Sequence, residues 1–386
     1  MTPLPPKQPG RLRLVHLTTT DMSLDWLLGP QLQAFAVAGY EVIGMSAAGP
    51  HVATLQAMGV AHVDVSAFTR SNNPLQDLRA FVQLIRLLRK VRPDILHTHN
   101  PKPGILGRIA GWLTRVPLVI NTQHGLYAQP TDRWQRRLPV YAAERTAAMC
   151  SDVELVQNPE DVETLVRRLR IPARKVRLLG NGIDLVRFDP VSVSSARATL
   201  RHSWGVSGEE IIIGIVGRLV REKGIVEILD AAHRVHADGV AVRFVIVGPT
   251  DLGKADAIDA AQMDRAHADG VMFVGERIDM PECYAAMDLF LTASWREGFP
   301  RSAMEAAAMG LPTIATNIRG NRQVVDDGVT GVLVPVRDSV ALAEAVRTLI
   351  ARRADWPAMS AAAQSRARDH FDQALVIERT LAAYQL

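Results

Sequence analysis

Two glutamates in the string SWREGFPRSAMEAAAMGLPTIAT, residues 294–316, are placed to meet hydroxyl groups. Glu297 and Glu305 are separated by seven residues, with Gly298 and Pro300 in a turn before a helix expected from about Arg301. This spacing sets Glu297 in a loop at the helix N-terminus and Glu305 one turn further in, on the same side. Backbone N–H groups at such an end favour an oxygen-rich or anionic ligand, and carboxylates accept hydrogen bonds from sugar or ribose hydroxyls. An amphipathic helix with two solvated glutamates would have the same spacing. A second string, GIVGRLVREKG (214–224), ends a strand at Gly217 and opens a helix near Gly224. Arg218 and Lys223 can neutralise a pyrophosphate there, Arg through a bidentate fork and Lys as a point charge. The alternative is an ordinary basic strand-to-helix loop. It is not a P-loop, because no G-x-x-x-x-G-K-[ST] string occurs.

The first half offers weaker candidates. His124 follows an apolar strand, where histidine commonly serves as a structural hydrogen-bonder. His97 and His99, in DILHTH, are read as facing opposite sides of one strand, one of them packing or orienting backbone, and no metal site is expected. Lys102, in NPKPG, heads a helix, a suitable place for contact with an acceptor phosphate or a donor diphosphate; the alternative is a solvated loop lysine. Asp21, after Thr18, Thr19 and Thr20, can orient or deprotonate an acceptor hydroxyl, although N-capping by Asp21 or Ser23 competes with that role.

The elements that must hold these residues are legible as two α/β series. Apolar, β-branched runs alternate with helical-period segments, the pattern of parallel sheets covered on both faces. In the first half, strands are expected at 11–18, 40–46, 94–99, 117–123 and 152–156, with helices near 26–38, 75–91, 103–114 and 134–149. The series restarts with strands at 210–217, 241–248, 271–275, 289–294, 312–316 and 331–336. A Pro- and Ser-bearing segment, FDPVSVSSARATL, marks a linker near residue 190. Two doubly wound domains are expected, 1–190 and 191–371, facing a cleft; the terminal helix at 372–386 caps the second domain or crosses back to the first. Ligands belong at the carboxyl ends of the strands.

Composition agrees. The chain has 386 residues, 48% apolar and 22% charged, enough for more than one core, which excludes disorder and coiled coil. Residues 1–200 carry 24 Lys and Arg against 15 Asp and Glu, and the remainder 20 against 25. A basic half joined to an acidic half points to an anionic partner for one domain. Two cysteines exclude a disulfide framework. With no signal-peptide pattern and no run of 18 apolar residues, a cytoplasmic location is expected, with peripheral membrane contact compatible.

GRLVREKG followed by EGFPRSAMEAAAMGLPTIAT resembles the retaining family 4 glycosyltransferases of GT-B fold. HTHNPKPGILGRIAG (97–111), NTQHGLY (121–127) and LGNGIDLVRFDP (179–190) are similar to the branch that builds bacterial polysaccharides on lipid carriers, and the resemblance covers nearly the whole chain. It implies that Glu305 binds ribose hydroxyls of a nucleotide sugar and Glu297 hydroxyls of the donor hexose. Gly298, Phe299 and Pro300 would lie along sugar and diphosphate, Arg218 and Lys223 would clamp the diphosphate, and Arg277 and Ile278 would hold the base. His124 would touch the donor sugar, and Asp21, His99 and Lys102 lie on the acceptor side. Two departures stand out: the Thr18–Asp21 string replaces the family's Gly-rich loop, and Gln323 stands where many relatives have Glu.

The reaction so implied is hexose transfer, with retention, from a nucleotide sugar to a glycan or polyprenyl-linked acceptor, UDP-sugar being favoured and GDP-sugar possible. Catalysis would come from positioning and from stabilising the departing diphosphate. No Asp-x-Asp triplet occurs, so neither a metal nor any other cofactor is expected. An anionic membrane is a compatible partner for the basic helix at 74–93; nucleic acid is not, since no nucleic-acid motif occurs and aromatics are few. The competing readings are a GT-B epimerase or phosphorylase and a non-catalytic nucleotide-sugar binder. An oxidoreductase is disfavoured, because neither domain opens with G-x-G-x-x-G.

Overall fold

The computed structural model describes residue 7 and residues 10–69, 73–206, 210–251 and 256–385. They form two compact units, Met1–Gly180 with Val376–Leu386, and Asn181–Leu375. Each is built on one parallel sheet.

The first unit contains β1 (Arg13–Thr20), β2 (Glu41–Ala47), β3 (Ala61–Asp64), β4 (Ile95–His99), β5 (Leu118–Gln123), β6 (Val153–Val156) and β7 (Val176–Leu178), in the spatial order β3-β2-β1-β4-β5-β6-β7. Strands buried on both faces read as unbroken apolar runs. That is why the inner strands are plain in the sequence, while the short, polar edge strands AHVD (β3) and VRL (β7) are not. The helix expected at 26–38 is two helices, Asp21–Trp26 and Gly29–Val37, because Pro30 lacks the N–H that an uninterrupted helix needs and begins the second one instead.

A charged core lies behind β5 and β6. Arg108, fully buried, bonds Glu144 at 2.5 Å and Glu154 at 2.8 Å, while Asn121 and Ser151 donate to Glu154 and Gln123 donates to Glu144. Buried carboxylates are tolerable only when their lone pairs are matched in this way. Removing Arg108 alone would leave two of them facing each other.

The second unit contains β8 (Ile211–Val216), β9 (Val242–Val247), β10 (Met272–Gly275), β11 (Leu289–Thr292), β12 (Thr313–Thr316) and β13 (Gly331–Val334), ordered β10-β9-β8-β11-β12-β13. The chain enters this unit at Asn181, ahead of the Pro- and Ser-bearing segment near 190. The N–H of Ile183 bonds the carbonyl of Phe371, and Phe188 packs edge-on against Tyr284, so residues 181–190 belong to the second core. The helix Gln373–Tyr384 returns to the first unit, burying Val376, Ala383 and Tyr384 among Leu14, Phe35 and Val42.

In both sheets the winding reverses direction, between β1 and β4 and between β8 and β11. A doubly wound sheet leaves a crevice at the carboxyl end of such a pair, because the two following loops diverge to opposite faces. Asp21 follows β1, His99 ends β4 and Lys102 follows it, while Arg218 and Lys223 follow β8 and Glu297 and Glu305 follow β11; His124 comes after β5, and Arg277 and Ile278 after β10.

Candidate functional site

In the second unit, the loop after β8 ends in a 3-10 turn, Arg221–Lys223, and Gly224 has φ +71°. A Cβ at Gly224 would lie 2.1 Å from the Ala293 carbonyl oxygen, so only glycine lets this turn touch the loop after β11. Lys223 Nζ thereby reaches Glu297 Oε1 at 2.5 Å, and Ser294 Oγ donates to the same oxygen at 3.0 Å. Gly320 backs the arrangement, since a Cβ there would come within 2.8 Å of Glu297 Cβ. The Trp295 indole N–H donates to Glu227 at 3.0 Å, and the Arg337 guanidinium lies 3.9 Å above its ring, fixing the loop between Ser294 and Glu297. Arg218, on the same side of β8, pairs with Asp251 at 2.7 Å.

The helix Arg301–Ala308 begins at Pro300, and no side chain caps it. Glu305 lies one turn in and is 9% exposed. The Tyr284 hydroxyl donates to Glu305 Oε2 at 2.9 Å, and Arg301 Nε donates to Oε1 at 3.2 Å. Burial raises the Glu305 carboxyl above its usual range, opposed by Arg301 and by the Tyr284 hydrogen bond. Neither glutamate is therefore the solvated helix residue of the bland alternative: Glu297 is ion-paired in a loop, and Glu305 is inside. Phe299 packs edge-on against Phe371, and its carbonyl accepts from Asn181 Nδ2 at 3.4 Å. Arg277 makes a two-toothed pair with Asp279, and the carbonyl of the exposed Ile278 accepts from Arg187 at 2.9 Å.

In the first unit, His97 and His99 share one face of β4, contrary to the expectation of opposite sides; residues two apart on a strand point the same way. Their rings stack with centroids 4.6 Å apart. Together with His16 of β1, His124 after β5 and Tyr384 of the terminal helix they form one chain of hydrogen bonds. His124 Nε2 meets His99 Nδ1 at 2.9 Å, and His99 Nε2 meets His16 Nδ1 at 3.1 Å. His16 Nε2 meets the Tyr384 hydroxyl at 3.1 Å, which also meets His97 Nδ1 at 2.6 Å, and His97 Nε2 meets Thr122 Oγ1 at 2.7 Å. Burial pushes His16, His97 and His99 well below the usual imidazole range and His124 down to about 4, so all four are neutral at pH 7. The ligand atoms of His16, His97 and His99 lie within 4.8 Å of one another, yet each of their ring nitrogens already has a partner in this chain.

Asp21 is turned inward, 4% exposed, with Oδ1 accepting from the Met22 N–H and Oδ2 from the His51 N–H. The N-cap position is Thr20; Asp21 is the first residue of that helix and ties it to the backbone at His51. Lys102 begins the helix Lys102–Leu113 and pairs with Asp77 at 2.7 Å.

The match of this architecture to known proteins is extensive. HepE from Anabaena in complex with UDP and glucose superposes with a TM-score of 0.80 at 18% identity, over 97% of this chain and 100% of that one. A glycosyltransferase from Rickettsia africae superposes equally well, over 97% and 98%. Both sheets are therefore those of the GT-B fold. The family model described as Glycosyltransferase Family 4 matches residues 31–187, and that described as Glycosyl transferases group 1 matches residues 210–352. The UDP-Gal:alpha-D-GlcNAc-diphosphoundecaprenol alpha-1,3-galactosyltransferase of Escherichia coli is 32% identical over 277 residues, spanning 71% of this chain and 70% of that protein. The chain belongs to glycosyltransferase family 4. The capsular polysaccharide biosynthesis glycosyltransferase CapM of Staphylococcus aureus is 25% identical over 345 residues, 88% of this chain and 87% of that one.

In this family 4 glycosyltransferase, several partners of the site residues escape a reading of the sequence. Asp251, Ser294 and Tyr284 lie outside the two motif strings or carry no spacing signal, and each is brought in by a different strand or helix. Tyr384 is 287 residues from the histidine it bonds. His16, in the run RLVHLT, stands out only as a polar residue in an otherwise apolar strand.

Proposed function

We propose that this glycosyltransferase moves a hexose, with retention, from a nucleotide sugar, preferably a UDP-sugar, to a lipid-linked or glycan acceptor in bacterial surface polysaccharide synthesis. The observation that carries the reading is the joining of the loops after β8 and β11 by the Lys223–Glu297 pair, beside Arg218 and the buried Glu305. Two cations suited to a diphosphate and two carboxylates suited to hydroxyls thus stand at one carboxyl end of one sheet. Glu305 binds ribose hydroxyls, Glu297 binds the hexose, and Arg218 and Lys223 leave Asp251 and Glu297 for the diphosphate. The substrates named in the designation of the Escherichia coli relative, a UDP-sugar and a diphosphoundecaprenol-linked sugar, support the donor and acceptor classes. The absence of an Asp-x-Asp triplet supports activity in EDTA.

Calorimetric titration tests the donor half. UDP-sugar is expected to bind, and Glu305→Ala to weaken it about 10- to 100-fold, since hydrogen bonds to a charged group contribute roughly 1.5–3 kcal/mol. Equal affinity in the variant would remove Glu305 from the site. A changed free nucleotide sugar after incubation would point to an epimerase instead.

Peripheral contact with an anionic membrane, at the inner face of the cell membrane, completes the proposal. The helix Pro74–Val91 buries Ala80, Leu84, Leu87, Leu88 and Val91, and leaves Leu75, Leu78 and Val82 exposed together with Arg79, Arg86, Arg89 and Lys90. Among the described residues no helix is long and apolar enough to cross a membrane. Each basic residue near an anionic surface contributes about 1 kcal/mol. Binding to phosphatidylserine-containing vesicles that falls with salt is expected, and failure to bind at low salt would exclude this surface.

A further inference from the structure

The hydrogen-bonded chain in the first unit has more order than a set of packed histidines requires. Five consecutive bonds, between 2.6 and 3.1 Å, link Thr122, His97, Tyr384, His16, His99 and His124 without a gap. Each neutral imidazole has one N–H and one bare nitrogen, and Tyr has one O–H. If both nitrogens of every ring and the Tyr384 O–H are all to be matched within the chain, the bonds must run in the same direction. Only two arrangements satisfy this, one with every ring protonated at Nδ1 and one with every ring protonated at Nε2.

In the first arrangement Thr122 O–H donates to His97, His97 Nδ1–H to Tyr384, Tyr384 O–H to His16, His16 Nδ1–H to His99 and His99 Nδ1–H to His124 Nε2; in the second every bond is reversed.

We propose that Tyr384 is a positioning residue for sugar transfer: it joins His97 to His16 and so closes a one-directional relay between Thr122 and His124 that holds the His124 ring in one tautomer and one orientation. The proposal rests on the reading that His124 serves the transfer reaction. It gives the terminal helix a function, because Tyr384 is the only member that does not come from the sheet or the loops that follow its strands. A metal held by His16, His97 and His99 would have to break at least two of the bonds and would place a divalent charge among buried, neutral groups.

The test combines NMR of the histidine-labelled protein with kinetics of Tyr384→Phe. Long-range 15N–1H spectra distinguish Nδ1–H from Nε2–H rings directly. The same pattern, Nδ1–H or Nε2–H, is expected at all four of His16, His97, His99 and His124, with altered patterns at His16 and His97 in Tyr384→Phe. Mixed patterns among these four rings in the unaltered protein would overturn the relay, whether or not an acceptor has been found. In the transfer assay Tyr384→Phe is expected to lower kcat about 10- to 100-fold, the scale of a misplaced active-site group, with the donor KM unchanged within about twofold. Thr380→Val, on the same helix and buried but outside the relay, should keep full kcat. An unchanged kcat in Tyr384→Phe, or an equal loss in Thr380→Val, would overturn the positioning role.

Discussion

Replacing Lys223 by alanine lowers kcat about 10²- to 10³-fold, while the donor KM changes far less. The magnitude is that of removing one preorganised group aimed at charge that develops in the transition state. Lys223 is held at 2.5 Å from Glu297 by a turn that only Gly224 permits, so its ammonium is in place before any ligand arrives. In the proposed reaction negative charge grows on the diphosphate as its bond to the hexose breaks, and Lys223 would meet that charge more strongly than it meets the intact donor. An interaction that strengthens in this way acts on kcat. Glu297→Gln keeps a hydrogen-bonding side chain but removes the countercharge of Lys223, and its loss is expected to be smaller. Steady-state kinetics on the two variants decides the point. A Lys223→Ala enzyme with raised KM and normal kcat would mean that the lysine only holds the donor.

The second large effect is on stability. Between pH 7 and pH 5 the first unit is expected to lose most of its stability, because four buried histidines are kept neutral. Their folded-state values lie below the unfolded value of 6.5, His124 at about 4 and His16, His97 and His99 also depressed, in each case chiefly through burial. Below 6.5 the unfolded chain therefore binds protons that the folded chain refuses. Stability is complete above that value and falls as the pH drops towards the folded values. One ring contributes roughly 1.4 kcal/mol per pH unit and four contribute roughly 5.5, against a total stability of about 5–15 kcal/mol for a domain. Glu305 acts in the opposite direction, since its raised carboxyl favours the folded state on acidification, but it is a single group in the second unit. Urea unfolding followed at pH 7.5, 6.0 and 5.0 checks this. Equal midpoints at all three values would show that the rings are already charged in the folded protein.

Much of this was legible in the sequence. The inner strands announce themselves because burial on both faces demands unbroken apolar runs, and the edge strands β3 and β7 do not because nothing demands it of them. Glu297, Glu305, Arg218 and Lys223 were visible since loop glycines and a helix start fix their local geometry. Their partners were not: Asp251 and Tyr284 are set by tertiary packing, which leaves no local spacing. The histidines show the limit most clearly. The period of two places His97 and His99 on one face of β4, but no pattern within β4 reveals that His16 lies beside them or that Tyr384 closes the chain. Asp21 shows the converse: the sequence offered acceptor contact or capping for it, and its oxygens accept from the backbone N–H groups of Met22 and His51, a tertiary tie that no local spacing announces.

The most direct test of the central claim is mass-spectrometric product analysis of the protein with UDP- and GDP-sugars, a bacterial membrane lipid extract and EDTA, run beside Glu305→Ala. The account predicts a new lipid-linked sugar, formed with an equal amount of nucleoside diphosphate and lost in the variant. Tight nucleotide-sugar binding with neither product would contradict it.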